Sequence, residues 1–150
     1  MEKIKIVESD INDISAQQLI GLLDEHLRKV TGRDGTVHFK SADVSNDKSV
    51  FLMAYVDGKP FGCGAFRRLD DNTAEVKRMF AKPNEMRIGS KILKELENKA
   101  KAYGFSKIHL ETGKENTGAV NFYRKNGYSI CDNYGPYVAY DNAVCFVKEI

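Results

Sequence analysis

The segment from Thr73 to Thr112 constrains the fold most, because two strand patterns there are separated by one helix pattern. Thr73 to Ala81 (TAEVKRMFA) alternates as a strand and is stopped by Pro83. After Gly89, residues Ile92, Leu93, Leu96, Ala100 and Tyr103 form an apolar stripe opposite lysines and glutamates, and Gly104 ends the helix. Lys107 to Thr112 (KIHLET) then sets Ile108 and Leu110 against His109 and Glu111. A β-α-β unit of this kind places its two strands in parallel.

The flanking segments predict antiparallel neighbours. Lys3 to Glu8 alternates as a first strand, and a first helix follows from Asp13 or Ser15, with Ala16, Leu19, Ile20, Leu23, Leu27 and Val30 on one stripe and Gly32 past its end. Thr31 to Lys48, with Gly35 and several Asp and Asn residues, reads as a long polar connection suited to lining a substrate mouth. Val50 to Val56 (VFLMAYV) is a nearly unbroken apolar run, and Asp57-Gly58 turns it into a return strand, Phe61 to Phe66. Gly62 and Gly64 share one side of that strand, which marks either a bulge or the close approach of a backbone or ligand. Asp70-Asp71-Asn72 makes the next turn. Beyond Thr112, Asn116 or Thr117 caps a helix through Ala119, Val120, Phe122 and Tyr123 that ends at Gly127; Tyr128 to Cys131, a loop around Gly135-Pro136 and a closing strand Ala143 to Val147 complete the chain. The prediction is one α/β (α+β) domain over residues 1–150, a mixed, largely antiparallel sheet of six or seven strands flanked by helices.

Composition excludes several functions. Lys plus Arg number 23 against 21 Asp plus Glu, too balanced for a nucleic-acid or anionic-membrane footprint. No run reaches the roughly 18 apolar residues of a membrane span, and Met1-Glu2-Lys3-Ile4-Lys5 lacks a secretory apolar region, so a cytoplasmic location is expected. Cys63, Cys131 and Cys145 are widely spaced among apolar or small residues and read as reduced core thiols. Metal-ligand spacings, the P-loop, the dinucleotide fingerprint and the G-x-S-x-G elbow are all missing, so no metal is expected.

Two local features point to chemistry. Alternation puts Glu75, Lys77 and Met79 on one strand face and Val76, Arg78 and Phe80 on the other, so both faces of a central strand carry charge. The loop Asn84 to Ser90 leads into a helix whose first N–H groups, with Arg87 beside them, suit a phosphate, although many such loops bind nothing. His109 reads as a hydrogen-bonded structural histidine rather than a base.

The order of elements, together with Ala74 to Ala81, Arg87-Ile88-Gly89-Ser90, Leu110-Glu111-Thr112-Gly113 and Asn116 through Phe122-Tyr123-Arg124-Lys125-Asn126-Gly127-Tyr128, resembles the GNAT superfamily of acyl-CoA-dependent N-acyltransferases from about Val50 onward. The resemblance implies a splayed central parallel strand pair. It also implies acetyl-CoA as acyl donor, with Met79, Phe80 and Ala81 pairing with the pantetheine arm. Main-chain N–H groups of Arg87, Ile88, Gly89 and Ser90 would hold the pyrophosphate, and Asn116 and the next helix would line the far side. Tyr123 corresponds to the tyrosine that protonates the departing thiolate, or else packs on the core, and Glu75 to a general base, or else pairs with Lys77 and Arg78. One departure stands out: the loop before Gly89 is two or three residues short and lacks a glycine, which leaves fewer amide contacts and more of the anion binding to Arg87, or none at all.

The expected activity is acetylation of a primary amine, with Glu75, Lys77, Arg78 and the Tyr134 to Tyr137 loop recognising a carboxylate-bearing or polar small molecule such as an amino acid, or merely facing solvent. Transfer to a protein lysine or N-terminus, and a non-catalytic acyl-CoA-binding module, are the alternatives. A homodimer is common for small proteins of this kind.

Overall fold

The apolar run Val50–Val56 is unbroken because its strand is buried on both faces. Val50, Leu52, Ala54 and Val56 enter one core, whereas Phe51, Met53 and Tyr55 enter another on the opposite side. The computed structural model describes residues 3–34, 36 and 38–150; Gly35 of the polar connection and Met1 and Glu2 of the amino terminus lie outside them. The elements are β1 (Ile4–Glu8), α1 (Ile14–Thr31), β2 (Val50–Val56), β3 (Lys59–Asp70), β4 (Thr73–Ala81), α2 (Ile88–Ala102), β5 (Lys107–Gly113), α3 (Thr117–Lys125), β6 (Ser129–Cys131) and β7 (Ala143–Glu149), with 3-10 turns at Ser41–Val44 and Gly135–Ala139. They form a seven-stranded sheet in the order β1-β2-β3-β4-β5-β7-β6, in which β4 and β5 are parallel and every other pair is antiparallel.

The expected helices and turns form where their signals lie. Asp57 (φ 50°) and Gly58 (φ 81°) supply the positive φ angles of the tight β2–β3 hairpin. Asn116 caps α3 by accepting the Ala119 N–H at 3.3 Å. Helix α2 buries Ile92, Leu93, Leu96 and Ala100 against one face of the sheet, and α1 buries Ala16, Leu19 and Leu23 on the other side. Tyr103, expected on the α2 stripe, is instead 40% exposed, with its ring edge on Phe66.

Both readings of Gly62 and Gly64 hold: β4 and α2 approach them closely, and Gly64 lies opposite a bulge. A Cβ on Gly64 would stand 2.4 Å from Met79 Sδ and 2.9 Å from Ile92 Cγ2; one on Gly62 would stand 2.9 Å from the Phe80 carbonyl oxygen. Gly64→Val is therefore expected to cost about 2 kcal/mol through overpacking, read as a lower denaturant midpoint at unchanged slope.

Strict alternation fails along β4. Cys63 faces Phe80 and Ala65 faces Lys77, so Gly64 alone opposes both Arg78 and Met79, with Arg78 at φ 57°. This β-bulge turns the strand over. Met79 packs with Val76 in the α2-side core, while Phe80 joins the α1-side core and Arg78 pairs with Asp24 of α1. The expected faces for Arg78, Met79 and Phe80 are thus reversed, because one extra residue shifts every side chain beyond it.

Candidate active site

β4 and β5 begin as a ladder and then part. Thr73, Ala74 and Glu75 pair with Lys107, Ile108 and His109, but among the described residues no pairing continues past Glu75. β4 stays with β3 to Ala81, and β5 stays with β7 to Gly113, so the two halves of the sheet diverge beyond the ladder. The divergence leaves one row of β4 backbone groups from Val76 to Ala81 without a strand partner, an edge on which an extended amide-bearing chain can pair. It also opens a cavity of about 1140 Å³, enough for a pantetheine-sized arm and a small second molecule.

Met79, Phe80, Ala81, Arg87, Ile88, Gly89, Ser90, Asn116 and Tyr123 all line this one cavity. At one end α2 begins, at Ile88 rather than after Gly89. Asn84 Oδ1 accepts the N–H groups of Met86 (2.9 Å) and Ile88 (3.3 Å), and the first intrahelical bond runs from Lys91 N–H to the Arg87 carbonyl. The N–H groups of Gly89 and Ser90 therefore have no helical acceptor and are available to an anion. Arg87 sits at φ 58°, the left-handed conformation that favours glycine, so the residue at this turn adds a charge at the expense of backbone strain. Arg87→Gly is expected to keep or slightly raise thermal stability while weakening acetyl-CoA binding by about tenfold, about 1.4 kcal/mol, measured by calorimetry.

Tyr123 is 7% exposed, packed against Phe122, Tyr128 and Phe146, and its hydroxyl has no hydrogen-bond partner among the described residues. Burial pushes its phenol well above the usual tyrosine range, so it stays protonated and able to donate at any physiological pH.

Glu75 occupies different surroundings. It is 1% exposed and is not part of the cavity wall. Arg67 Nε donates to one carboxylate oxygen at 2.8 Å, Tyr134 Oη donates to the other at 2.5 Å, and Lys77 Nζ stands 3.9 Å away. Arg67 extends the network to Asp43 at 2.6 Å. Burial first and the Glu75 charge second hold the Tyr134 phenol far up, which keeps it the donor. This is the ion-pair arrangement rather than that of a base facing substrate. His109, likewise, packs its ring on Tyr134 and lies 3.7 Å from Cys131 Sγ.

Two carboxylates line the cavity: Glu115, which lies 3.5 Å from Arg33, and Glu111 on β5, whose side chain has no ion pair or hydrogen bond among the described residues. Burial is the largest influence on it and raises its carboxyl above the usual range; Lys77 and Arg33 pull it down, and Glu75 and Glu115 push it up. Sequence alternation placed Glu111 opposite Leu110 but did not single it out, since only the divergence of β4 uncovers it. Around it stand Lys77, which donates to the Tyr137 hydroxyl, and His38, whose Nε2 lies 3.0 Å from Tyr140 Oη.

A divergent parallel pair, an unpaired strand edge and a helix start meeting in one cavity is an arrangement shared with known proteins. The pattern of the Acetyltransferase (GNAT) family matches residues 17–128. The chain belongs to that family. This GNAT protein is 32% identical over 133 residues to the IAA acetyltransferase of Azospirillum brasilense, covering 87% of this chain and 86% of that one. Its fold matches the PaiA N-acetyltransferase of Thermoplasma acidophilum, solved with coenzyme A, at a TM-score of 0.74 and 22% identity over 99% of both chains. It also matches a GNAT acetyltransferase of Elizabethkingia anophelis with acetyl-CoA bound, at 0.70 and 19% over 98% of both. The protein is therefore an acetyltransferase. Among the described residues, no helix is long and apolar enough to cross a membrane.

Proposed function

We propose that this acetyltransferase moves the acetyl group of acetyl-CoA directly to the primary amine of a small molecule in a ternary complex. The observation that carries this is the continuity of one cavity past the free N–H groups of the α2 start, the Tyr123 phenol and the Glu111 carboxylate. Met79, Phe80 and Ala81 offer the strand edge for the pantetheine arm. Arg87, Ile88, Gly89 and Ser90 surround the pyrophosphate, with the Ile88 amide already held by Asn84, and Asn116 lines the opposite wall.

The acceptor nitrogen must lose a proton before or as it attacks, and Glu111 is placed to take it. The nitrogen bonds to the thioester carbonyl carbon, the tetrahedral adduct collapses, the C–S bond breaks and the thiolate takes the Tyr123 proton; the second proton of the acylated nitrogen restores the phenol, and Glu111 releases the first to solvent. The products are an amide and free CoA thiol. No enzyme-bound acyl group is required. Burial pushes the Cys63 thiol up to about 12 and Cys145 up to about 11, and neither lines the cavity.

Because Glu111 acts as carboxylate and its folded pKa is raised, kcat/KM is expected to fall as pH drops through a value above the ordinary glutamate range. A pH–rate profile checks this, and Glu111→Gln should erase that acid limb. The proposal as a whole is tested by titrating the protein with acetyl-CoA and CoA, then following thiol release with amines. Micromolar binding, about −8 kcal/mol, followed by amine-dependent release supports it. Binding without release for any amine would indicate an acyl-CoA-binding module, and release only with peptide lysines or N-termini would indicate a protein acetyltransferase.

A further inference from the structure

The charges around the cavity restrict what the acceptor can be. Each Lys and Arg at the end near Glu111 already has an anionic partner. Lys77 lies 3.9 Å from Glu75 and donates to Tyr137; Arg78 pairs with Asp24 and donates to the Asp34 carbonyl at 3.2 Å; Arg33 lies 3.5 Å from Glu115. The other cationic side chains of the wall, Lys82, Arg87 and Lys125, belong to the loop before α2 and the last turn of α3. Glu111 is left without a direct partner among the described residues, with only Lys77 and Arg33 acting on it from beyond ion-pair distance. The remaining surface there is mainly apolar or aromatic, Leu23, Leu27 and Val30 of α1 with Tyr137 and the mutually bonded His38 and Tyr140, and its polar members His26, Thr31 and Thr112 carry no fixed positive charge.

We infer that the acceptor is a small primary amine that enters as a cation on an apolar or aromatic body and carries no carboxylate. The inference rests on the acetyl transfer proposed above and specifies its substrate class. An ammonium supplies the charge that Glu111 lacks, and passing one proton to that carboxylate yields the neutral nucleophile. The carboxylate of an α-amino acid would enter the same space, meet no unpaired Lys or Arg and lie beside a like charge, which costs binding whatever its body contributes. An amino acid acceptor, as the β4 charges suggested in sequence, is disfavoured because folding pairs each of those charges within the protein.

Matched pairs that differ only by the carboxylate test this: tyramine against tyrosine and phenethylamine against phenylalanine. Each is measured for binding to the free protein by calorimetry and for thiol release with acetyl-CoA. The expected result is a kcat/KM for each amine about tenfold or more above its amino acid, a gap of at least about 1.4 kcal/mol. Glu111→Gln, with its melting temperature not lowered, should narrow the binding gap, because the like charge is removed. Equal or better use of the amino acids overturns the inference, as does failure of both amines to bind. If acetyl-CoA itself does not bind, the proposed function falls, while amine-against-amino-acid binding still decides the charge argument.

Discussion

Tyr123→Phe is expected to lower kcat by about 100-fold, about 2.7 kcal/mol in the barrier, with acetyl-CoA affinity within about twofold of the parent. The phenol has no hydrogen-bond partner among the described residues, and its ring is held by Phe122, Tyr128 and Phe146, so phenylalanine preserves the packing and removes only the proton donor. The alternative donors differ in kind. Tyr128 already donates to Glu97 at 2.9 Å, whereas Tyr137 accepts from Lys77 and keeps its own proton, so Tyr137→Phe is the matching control. Steady-state kinetics with calorimetry on the same variant separates the possibilities: unchanged kcat removes Tyr123 from the acid role, and lost binding assigns it to the cavity wall alone. Since burial keeps the phenol protonated, the parent enzyme should show no alkaline loss from this group across the neutral range.

Arg67→Met is expected to destabilise the protein by about 3 kcal/mol, the cost of leaving a buried carboxylate short of its main partner. Glu75 is 1% exposed, and after the change it keeps only the Tyr134 hydroxyl and a lysine at 3.9 Å. Arg67 also holds Asp43 of the connection between α1 and β2, so the loss should loosen that segment. Adding Glu75→Gln in the same chain should recover much of the stability, since the stranded charge is then gone, and urea unfolding of the two single variants and the double variant measures the coupling. A merely additive result would show that the Arg67–Glu75 pair contributes nothing beyond its separate side chains. Retention of activity in Glu75→Gln would fit its place off the cavity wall; loss of the neutral-pH rate without loss of folding would return it to the base role.

Local signals in the chain accounted for most of the elements, because caps, turns and periodicity act over a few residues. The Asp57-Gly58 hairpin, the Asn116 cap, the Gly32 and Gly104 helix ends and the parallel β4–β5 pair were each legible, and so was the family through its spaced motifs. Gly62 and Gly64 declared a bulge or a close approach without saying which, or of what. The β4 bulge was not legible: alternation assumes one residue per position, and a single extra residue opposite Gly64 moved Arg78, Met79 and Phe80 to faces that sequence assigned the other way.

The same limit governs the site. The sequence by itself determined which residues were candidates: a tyrosine on a helix, one carboxylate on β4, and an arginine before a helix start. Tertiary structure alone decided which of them meet. Charge pairing depends on residues far apart in the chain, so Glu75, beside Lys77 in sequence, is neutralised by Arg67 and hydrogen-bonded by Tyr134, 59 positions away. Glu111 carries no comparable local signal and becomes the unpaired carboxylate of the cavity only because β4 and β5 part after three ladder positions, a divergence imposed by their separate attachment to β3 and β7.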